Sequence, residues 1–449
     1  MLECGHAREA SGDPLCRHLC TCREPWLSYV RWYTGSGLEA DLLCIPCAED
    51  RAKGTDVVTG LVCEECFAHI TTEVGELSGI RGTPGVRTRP ERFDATLKRT
   101  PLPAKAGAIV DIAPICEPGS SMWLMLTKGG ALIRFNAETG EWVRVTSTSV
   151  PSEWRHKPWN GRTLRRTLHA SPCGGFAAVV NDYGRYGQII DLRRGKVTLK
   201  LDGGNYHAET VRFSFAFAQV GGKTVAIHRT DWNRLDISDP GTGKLLTGRT
   251  PTSYGRGSQR PEHYLDYFHG ALQVSPGNNQ IYDDGWVWHP VGIPVVWNLE
   301  QWAHTNVWES DDGPTKQNVC ARDYYWGGAA CWIDESRIVV GGIGVDDDAM
   351  VDGARVFDTA LPGTPGPQWR ADVRWAREVA SFAGPAGAFF SDGTRLFSAD
   401  AMGLSRWDVA DGSRTGHLAD FHPTHHHRQA NELVELSDGV LIRLAISQD

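Results

Sequence analysis

The chain has 449 residues, of which 41% are hydrophobic and 22% are charged, and its formal net charge is −8. This is the composition of an ordinary soluble globular protein. The acidic balance disfavours nucleic acid as a partner, because phosphate backbones are bound by clustered lysine and arginine. No run of about 18 apolar residues occurs, so no membrane span is expected.

The amino-terminal residues, Met1 to His6, contain neither a basic stretch nor an apolar core. A signal peptide is therefore not expected, and a cytoplasmic location is. In that compartment thiols stay reduced, so clustered cysteines indicate metal binding rather than disulfides.

Eight of the 12 cysteines lie before Phe67. The spacing Cys44-x2-Cys47-x15-Cys63-x2-Cys66 predicts a tetrahedral Zn²⁺ site, because a two-residue gap lets both thiolates of one turn face one ion. Together with Cys4/His6 and Cys20/Cys22, the two cysteine pairs give four ligand pairs. Four pairs can hold two ions and can be combined in three ways, so one zinc site is predicted and a second site stays open. The predicted metal ligands are Cys4, His6, Cys20, Cys22, Cys44, Cys47, Cys63 and Cys66, with Cys16 and His18 in reserve.

The predicted role of the metal is structural. Residues 1–72 are too few to bury a dependable core, and a bound ion supplies the missing folding free energy. Catalytic zinc keeps one coordination position for water. Here protein ligands are available for every position, so metal catalysis is disfavoured.

The order of elements predicted for residues 1–72 resembles a treble clef. Trp26–Tyr33 and Leu38–Leu43 are expected to form a hairpin, and a helix is expected to start at Cys66. Two interleaved ligand pairs would resemble the cross-braced RING class, although the Cys4-x-His6 opening departs from the usual RING order. That resemblance implies recruitment of a ubiquitin-like conjugating enzyme.

Residues 73–105 are rich in glycine and proline and mildly basic, which predicts a linker. Within it, Arg92–Leu97 can form a strand.

From residue 106 to 449 a short sequence motif, called a phrase here, recurs every 45 to 62 residues: apolar and polar residues alternate, and the motif ends on an acid or amide. A repeat of ~40 to 50 residues with insertions is typical of a β-propeller blade. The six phrases are Leu132–Asn136, Gln188–Asp191, Leu235–Asp236, Val295–Asn298, Arg355–Asp358 and Leu404–Asp408.

Tight turns support the same interpretation, since Ser, Asp, Pro and Gly recur between short apolar runs. The Trp407-Asp408 dipeptide makes the region similar to WD40-type propellers, and Gly416-His417 is the one Gly-His dipeptide in it. The resemblance implies a mainly β fold with one divergent propeller, for which seven blades are favoured over six or eight. The chain end offers two strands, so strands from the segment before Ala108 are expected to close the ring.

Aromatic residues are densest in the fourth and fifth repeats. They can fill the space between blades, or some can lie on the rim as anchors for a protein or peptide. The candidate partner-binding residues are Trp286, Trp288, Trp308, Tyr324 and Tyr325.

No catalytic residue is predicted. Gly222-Lys223-Thr224 resembles the end of a phosphate-binding loop, but Phe217 stands where that loop needs glycine. The sequence therefore favours a non-enzymatic interaction, sensor or scaffold protein with structural zinc and a propeller that recognises a protein or peptide. The alternatives are a RING-type ligase adaptor with the propeller as substrate receptor, and a propeller enzyme with an axial active site. The partner's identity and the oligomeric state stay open.

Overall fold

The computed structural model describes residues 10–21, 29–34, 40–63, 66–68, 70, 85–93, 95–117, 119–153, 157–250, 257–347, 350–365 and 373–446. Within these ranges, no helix combines the length and the apolar character needed to cross a bilayer.

The amino-terminal part forms a four-stranded sheet with short helices. Its strands run in the order β2-β3-β1-β4, in which β1 and β3 are parallel and the other neighbours are antiparallel. The elements are β1 Ala10–Cys16, α1 Arg17–Thr21, β2 Tyr29–Tyr33, β3 Ala40–Cys44, α2 Ile45–Ala52 and β4 Thr59–Cys63. The expected hairpin is confirmed as β2 and β3, and residues 66–68 and 70 are helical, as expected after the last cysteine pair. Helix α2, which follows Cys44, was not expected.

The rest of the described chain is a ring of seven sheets, called blades 1 to 7 here. Blade 1 consists of β6 Ile109–Ile115, β7 Met122–Thr127, β8 Ala131–Asn136 and β9 Trp142–Ser147. Blade 2 consists of β10 Arg165–Ala170, β11 Phe176–Asp182, β12 Tyr186–Asp191 and β13 Lys196–Asp202. Blade 3 consists of β14 Phe215–Val220, β15 Lys223–Asp231 and β16 Arg234–Ser238.

Blade 4 is the most elaborate sheet, because short strands extend it on two sides. Its strands are β17 Phe268–Val274, β18 Gln280–Val287, β20 Val295–Asn298 and β21 Gln317–Asn318, extended by β19 Val291–Gly292, β22 Arg322–Asp323, β26 Thr364–Pro365 and β27 Arg374–Trp375. Helices α3 Leu299–His304 and α4 Glu309–Asp312 lie between β20 and β21. Because β26 and β27 come from an insertion in blade 5, the two blades share backbone hydrogen bonds.

The last three blades complete the ring. Blade 5 consists of β23 Ala330–Trp332, β24 Arg337–Ile343, β25 Val351–Asp358 and β28 Arg377–Ala383. Blade 6 consists of β29 Ala388–Ser391, β30 Arg395–Asp400, β31 Gly403–Asp408 and β32 Arg414–Leu418. Blade 7 consists of β33 His425–His427, β34 Glu432–Ser437, β35 Val440–Ala445 and β5 Leu97–Pro101.

The ring is held together by one apolar core between each pair of neighbouring blades. Alternation along the strands supplies both faces: in β11, Ala177 and Val179 join the core shared with blade 1, while Ala178 and Val180 join the core shared with blade 3. The core that unites Trp123 of blade 1 with Leu441 of blade 7 closes the circle. The fold is therefore a mainly β, seven-bladed propeller, as the repeats predict.

All six repeated phrases form the third strand of blades 1 to 6, which explains their even spacing. Two expectations near the carboxyl end need correction. Three successive histidines, His425–His427, cannot all face one ion from a regular strand, and on that ground the sequence favours a surface turn. That prediction is wrong, because His425–His427 pairs with β34 and forms the first strand of blade 7. The Ser437-Asp438-Gly439 turn joins the second and third strands of its blade, whereas the similar turns at residues 171–174, 275–278, 334–336 and 391–393 join the first and second strands of theirs.

One strand from the predicted linker closes the ring. β5 starts at Leu97, at the end of the expected strand Arg92–Leu97, and pairs antiparallel with β35. Residues 85–93 also contact the propeller: Thr88 bridges to Arg414 of blade 6. Arg89 forms ion pairs with Asp408 and Asp411 at 2.6 and 3.2 Å. Much of the expected linker therefore packs on blades 6 and 7.

Candidate metal centre and arginine cleft

Two parallel strands bring four metal-type side chains together in the amino-terminal sheet. Parallel neighbours end at the same edge of a sheet, so the carboxyl ends of β1 and β3 lie side by side. Each strand ends on a cysteine, Cys16 or Cys44, and each leads directly into a helix. These helices carry the second member of each pair, His18 in α1 and Cys47 in α2.

The four ligand atoms of this group lie within 4.8 Å of one another. The Nδ1 atom of His18 is 3.0 Å from the Cys47 sulfur and 3.7 Å from the Cys44 sulfur. The backbone N–H of Cys44 donates to the Cys16 sulfur at 3.3 Å. A tetrahedral Zn²⁺ ion with Zn–S of ~2.3 Å and Zn–N of ~2.0 Å holds its ligands about 3.5 to 3.8 Å apart. The group can therefore hold a metal ion with little movement.

Burial makes the thiols of this group costly to ionise. All three cysteines are buried, and burial raises the pKa of Cys44 and of Cys47. A cation among the sulfurs would reverse that preference, because metal ligands bind as thiolates. The donor set of three sulfurs and one nitrogen fits zinc in a structural site.

The grouping differs from the one that spacing alone predicts. Cys44 and Cys47 lie with the reserve pair, Cys16 and His18, and among the described residues Cys63, Cys66 and Cys20 do not join them. Cys4, His6 and Cys22 lie outside the described residues, as do the contacts that they make. The signal that favours the reserve pair is structural: β1 and β3 are parallel neighbours, whereas β4, which carries Cys63, runs antiparallel to β1.

A stack of aromatic rings occupies one face of the propeller. This face carries the loops between blades and the turns between second and third strands. Trp159, Trp326, Trp286 and Phe268 stack in that order, with centroid distances of 4.4, 4.9 and 4.2 Å and interplanar angles of at most 14°. The four rings come from the loops after blades 1 and 4 and from strands β17 and β18 of blade 4. They therefore tie distant loops into one surface.

The predicted aromatic anchors lie in different environments. Trp286 is buried in the stack, and Trp288 packs edge-on against it while remaining 41% exposed. Tyr324 is 52% exposed, and Tyr325 lies half-buried beside it. Trp308 is apart from them, because it belongs to the connection between β20 and β21 and stacks on His263 at 4.5 Å. The exposed aromatic surface gains one residue that the sequence did not single out, Tyr206, which is 46% exposed.

Beside the stack lies a cavity of about 410 Å³, called the arginine cleft here. Its walls come from the loops after blades 1, 2 and 4 and from turns of blades 2 and 5. The charged residues in its lining are Arg162, Arg165, Arg212 and Asp347. Three guanidinium groups against one carboxylate make the lining positive, although the chain as a whole is negative.

Protein contacts position two of these arginines. Arg162 donates to the carbonyl oxygens of Trp326 and Gly327 at 2.7 and 3.4 Å and to the hydroxyl of Tyr183 at 2.9 Å. Arg212 also hydrogen-bonds Tyr183. These hydrogen-bond acceptors are neutral and orient the guanidinium groups, while Asp182 and Asp284 also interact electrostatically with Arg212.

Carboxylates lie behind the cleft. Asp182 is buried and accepts hydrogen bonds from Thr167 at 2.7 Å and from Arg165 at 3.5 Å. Burial raises the pKa of Asp284 to about 6, and the neighbouring Arg322, Arg212 and Arg162 oppose this rise. The positive charge of the cleft is therefore moderate.

A second and larger cavity of about 510 Å³ lies against the outer part of blade 4. Its lining is mixed in sign, with Arg260, Lys316 and Arg374 against Asp266, Asp311 and Asp312. Asp311 accepts from the buried Arg249 at 2.7 Å, and His263 lies 2.9 Å from Asp312. Lys316 donates to two backbone carbonyls. The charges in this lining balance, whereas those in the lining of the arginine cleft are positive in sum.

Comparison of the chain with family models gives no match, and comparison with curated proteins gives none either. Among solved structures, the chain is similar to a chain in the "Crystal Structure of Mitotic Checkpoint Complex", with 12% sequence identity and a TM-score of 0.46. The similarity covers 82% of this chain and 98% of the other. It carries no conclusion about function, and the propeller assignment rests on the strand pairing and inter-blade cores described above.

Proposed function

We propose that this chain is a non-enzymatic interaction protein, in which a zinc-stapled module precedes a propeller that recognises a protein or peptide partner. The observation that carries the proposal is the surface formed by Tyr206, Trp288, Tyr324 and the adjacent arginine cleft. Exposed aromatic side chains and arginine are the residues that dominate binding energy at protein interfaces. They lie on one face of a rigid ring, which is how propeller loops present a binding surface.

The zinc has a structural role in this proposal. Cys16, His18, Cys44 and Cys47 would occupy all four positions of a tetrahedral ion, which leaves none for a substrate or an activated water. The proposed boundaries are residues 1–72 for the module and 106–449 for the propeller, and residues 73–105 form a connection that contributes the closing strand β5 to the propeller. A cytoplasmic location, which keeps the ligand thiols reduced, belongs to the same proposal. Cell fractionation of the tagged chain tests the location.

The enzymatic alternative has weaker support. One acid and base pair on blade 4 is His269 and Asp283, whose side chains lie 2.6 Å apart and are at most 1% exposed. Neither residue lines the arginine cleft or the larger cavity. A general acid or base must reach its substrate, and this pair is shut off from solvent.

Affinity capture with the full-length tagged chain tests the recognition proposal. We expect a partner that is retained by the native chain and lost by the Tyr206→Ala/Trp288→Ala double variant, because removing a binding hot spot costs roughly thirtyfold or more in affinity. Trp142→Ala is the matched control, since Trp142 is 40% exposed on the outer strand of blade 1. Equal capture by the double variant would show that this face is not the recognition surface.

The ligase alternative is tested separately. A reconstituted ubiquitin-transfer assay with the purified chain would show product formation if the zinc module recruits a conjugating enzyme. The interaction-protein proposal expects no transfer above that of a Cys44→Ser variant.

A further inference from the structure

We propose that the arginine cleft binds carboxylate side chains, so that the ligand of the propeller is an acidic peptide segment. This inference rests on the proposed function, since it assigns a chemistry to the partner of the same face. Its basis is the set Arg162, Arg165 and Arg212, which line one cavity.

The cleft is built to keep these charges available. Arg212 is accessible to solvent within the cavity, and its protein hydrogen bond goes to the neutral hydroxyl of Tyr183. Arg165 is 57% exposed in its side chain and lies 3.5 Å from Asp182, a distance that leaves most of its donors for a ligand. Arg162 is fixed by neutral acceptors. Guanidinium groups pair with carboxylates through two parallel hydrogen bonds, which adds direction to the attraction.

The charges behind the cleft favour carboxylate over phosphate. Asp182 and Asp284 lie close to the arginines and reduce the positive potential. Asp347 adds one negative charge at the rim. A dianionic phosphate needs several uncompensated cations, whereas singly charged carboxylates suit a site of moderate positive charge.

The size and surroundings of the cleft favour a peptide over a free small acid. A volume of about 410 Å³ holds one or two acidic side chains. The cleft continues into aromatic surface through Trp326, which lines the cavity and also belongs to the ring stack. Tyr324 lies 52% exposed at its edge. A segment that places acidic side chains in the cleft can therefore lay its backbone and apolar side chains on these rings.

Fluorescence anisotropy with a labelled hexaglutamate peptide and the full-length chain tests the inference. We expect saturable binding that weakens as salt concentration rises, while hexaglutamine does not bind. Arg212→Glu should weaken binding roughly tenfold or more, because charge-assisted hydrogen bonds would become repulsion. Arg193→Glu is the matched control: it makes the same change in net charge on an exposed turn between β12 and β13, on the opposite face, and should leave affinity within about twofold.

A second variant separates loss of the site from loss of the fold. Arg212→Gln removes the charge but keeps a donor for Tyr183, and it should lower affinity while leaving the thermal transition of the protein in place. Binding of hexaglutamate that is unaffected by either Arg212 variant would overturn the inference. Displacement of the peptide by inorganic phosphate at concentrations where glutarate fails to compete would also overturn it, in favour of a phosphorylated ligand.

The outcome is distinguishable from that of the capture experiment. A partner that depends on Tyr206 and Trp288, combined with no binding of hexaglutamate, would overturn the carboxylate assignment and leave the recognition face intact. Hexaglutamate binding through Arg212 would support the assignment whether or not a captured partner depends on Tyr206 and Trp288.

Discussion

The amino-terminal module and the propeller reach a closed structure by different means. In the module, the ligands Cys16, His18, Cys44 and Cys47 lie within 32 positions of sequence and meet at the ends of two parallel strands. In the propeller, closure joins residues that are far apart in the chain, since Leu97 pairs with Leu444. The module has a side-chain group that can hold an ion, whereas the ring is closed by backbone pairing and seven shared apolar cores.

The module and the propeller differ in this way because their hydrophobic cores differ in size. The module has one core cluster, built on residues such as Leu15, Leu42 and Val62. Such a small core leaves little surplus over the entropy lost on folding, so a metal contributes a large share of the stability. Each blade of the propeller buries both of its faces against neighbours, and the ring needs no such support. The comparison predicts that the two parts respond differently to the same treatments.

Metal removal should produce the largest effect. Chelation by EDTA, or Cys44→Ser, should unfold the module, because structural zinc supplies on the order of 10 kcal/mol of folding free energy in small modules. Hydrogen exchange measured by mass spectrometry should show lost protection in residues 29–63 and unchanged protection in the strands of blade 2. Retained protection in residues 29–63 after chelation would contradict the prediction that a bound metal stabilises the module.

The same site provides a test of the ligand grouping. If Cys16 and Cys44 share one ion, then Cys16→Ser, Cys44→Ser and the double variant each lose one equivalent of zinc by elemental analysis. If the two cysteines hold different ions, the double variant loses two. Cys173→Ser, at an exposed turn of blade 2, is the control and should keep the full zinc content.

The propeller is predictable from the sequence because one strand of each of the first six blades carries the same motif. Leu404–Asp408 alternates apolar and polar residues and ends on an acid, and five similar stretches of the chain end on an acid or amide. Each of the six is a third strand, so the period of the phrase is the period of the blade. Blade 7 was harder to find, because its third strand, Val440–Ala445, lacks the acidic ending and its fourth strand comes from residue 97 onward.

Local composition does not predict structure where tertiary contacts override it. Glycine and proline made residues 73–105 look like a linker, yet Arg89 pairs with Asp408 and Asp411, and Phe93 packs on Arg406 at 4.9 Å. None of these partners lies within 300 residues of the segment in sequence. The composition of a short segment carries no information about contacts with residues so distant in sequence.

The arginine cleft is not predictable from the sequence, for a related reason. Arg162, Arg165 and Arg212 follow no spacing that indicates a binding site, and Tyr325 joins them only because the ring brings the loop after blade 4 to the loop after blade 1. The candidate metal ligands, in contrast, are recognisable from the sequence as residue types. The structure groups Cys16 and His18 with Cys44 and Cys47 through the parallel pairing of β1 and β3, which the sequence does not reveal.

Ring closure provides the second prediction. Arg443 of blade 7 is buried and donates to Glu432 at 2.9 Å, to Glu138 at 2.6 Å and to the carbonyl oxygen of Ala137 at 2.8 Å, so it joins blade 7 to blade 1. Arg443→Met should cost about 3 to 5 kcal/mol in the free energy of unfolding, because Glu432 would be left buried without a counter-charge. Urea denaturation monitored by tryptophan fluorescence measures the loss.

Arg89→Met is the matched control for this variant. Its ion pairs are half exposed, so the urea midpoint should hardly move. Adding Glu432→Gln to Arg443→Met should recover part of the stability, since the uncompensated charge disappears. A loss below about 1 kcal/mol for Arg443→Met would mean that the closing contacts contribute little and that the ring relies on its cores alone.

The smallest predicted effect is the pH dependence of stability that arises from buried titratable groups, which the module and the propeller both contain. In the module, burial raises the pKa of the Cys44 and Cys47 thiols, and an ion would hold them ionised. In the propeller, burial raises the pKa of Asp284 from 3.8 to about 6; Asp283 adds to the rise, while Arg322, Arg212 and Arg162 oppose it. The folded state then binds more protons than the unfolded state between these values. The contribution of Asp284 to stability must therefore increase as pH falls through 6 and be absent above it.

The comparison with Asp284→Asn isolates this contribution, because asparagine does not titrate and every other group is shared. Between pH 7.5 and pH 5 the native chain should gain roughly 1 kcal/mol of stability relative to the variant. Burial lowers the pKa of His426 to about 3, and that residue pulls in the opposite direction over the same range, so the absolute stability of either protein is not the informative quantity. Asp438→Asn, at an exposed turn, should show no such relative change. A stability difference between native chain and Asp284→Asn that stays constant from pH 7.5 to pH 5 would show that the arginines hold Asp284 ionised, and that the ring, like the metal centre, compensates its buried charge with cations.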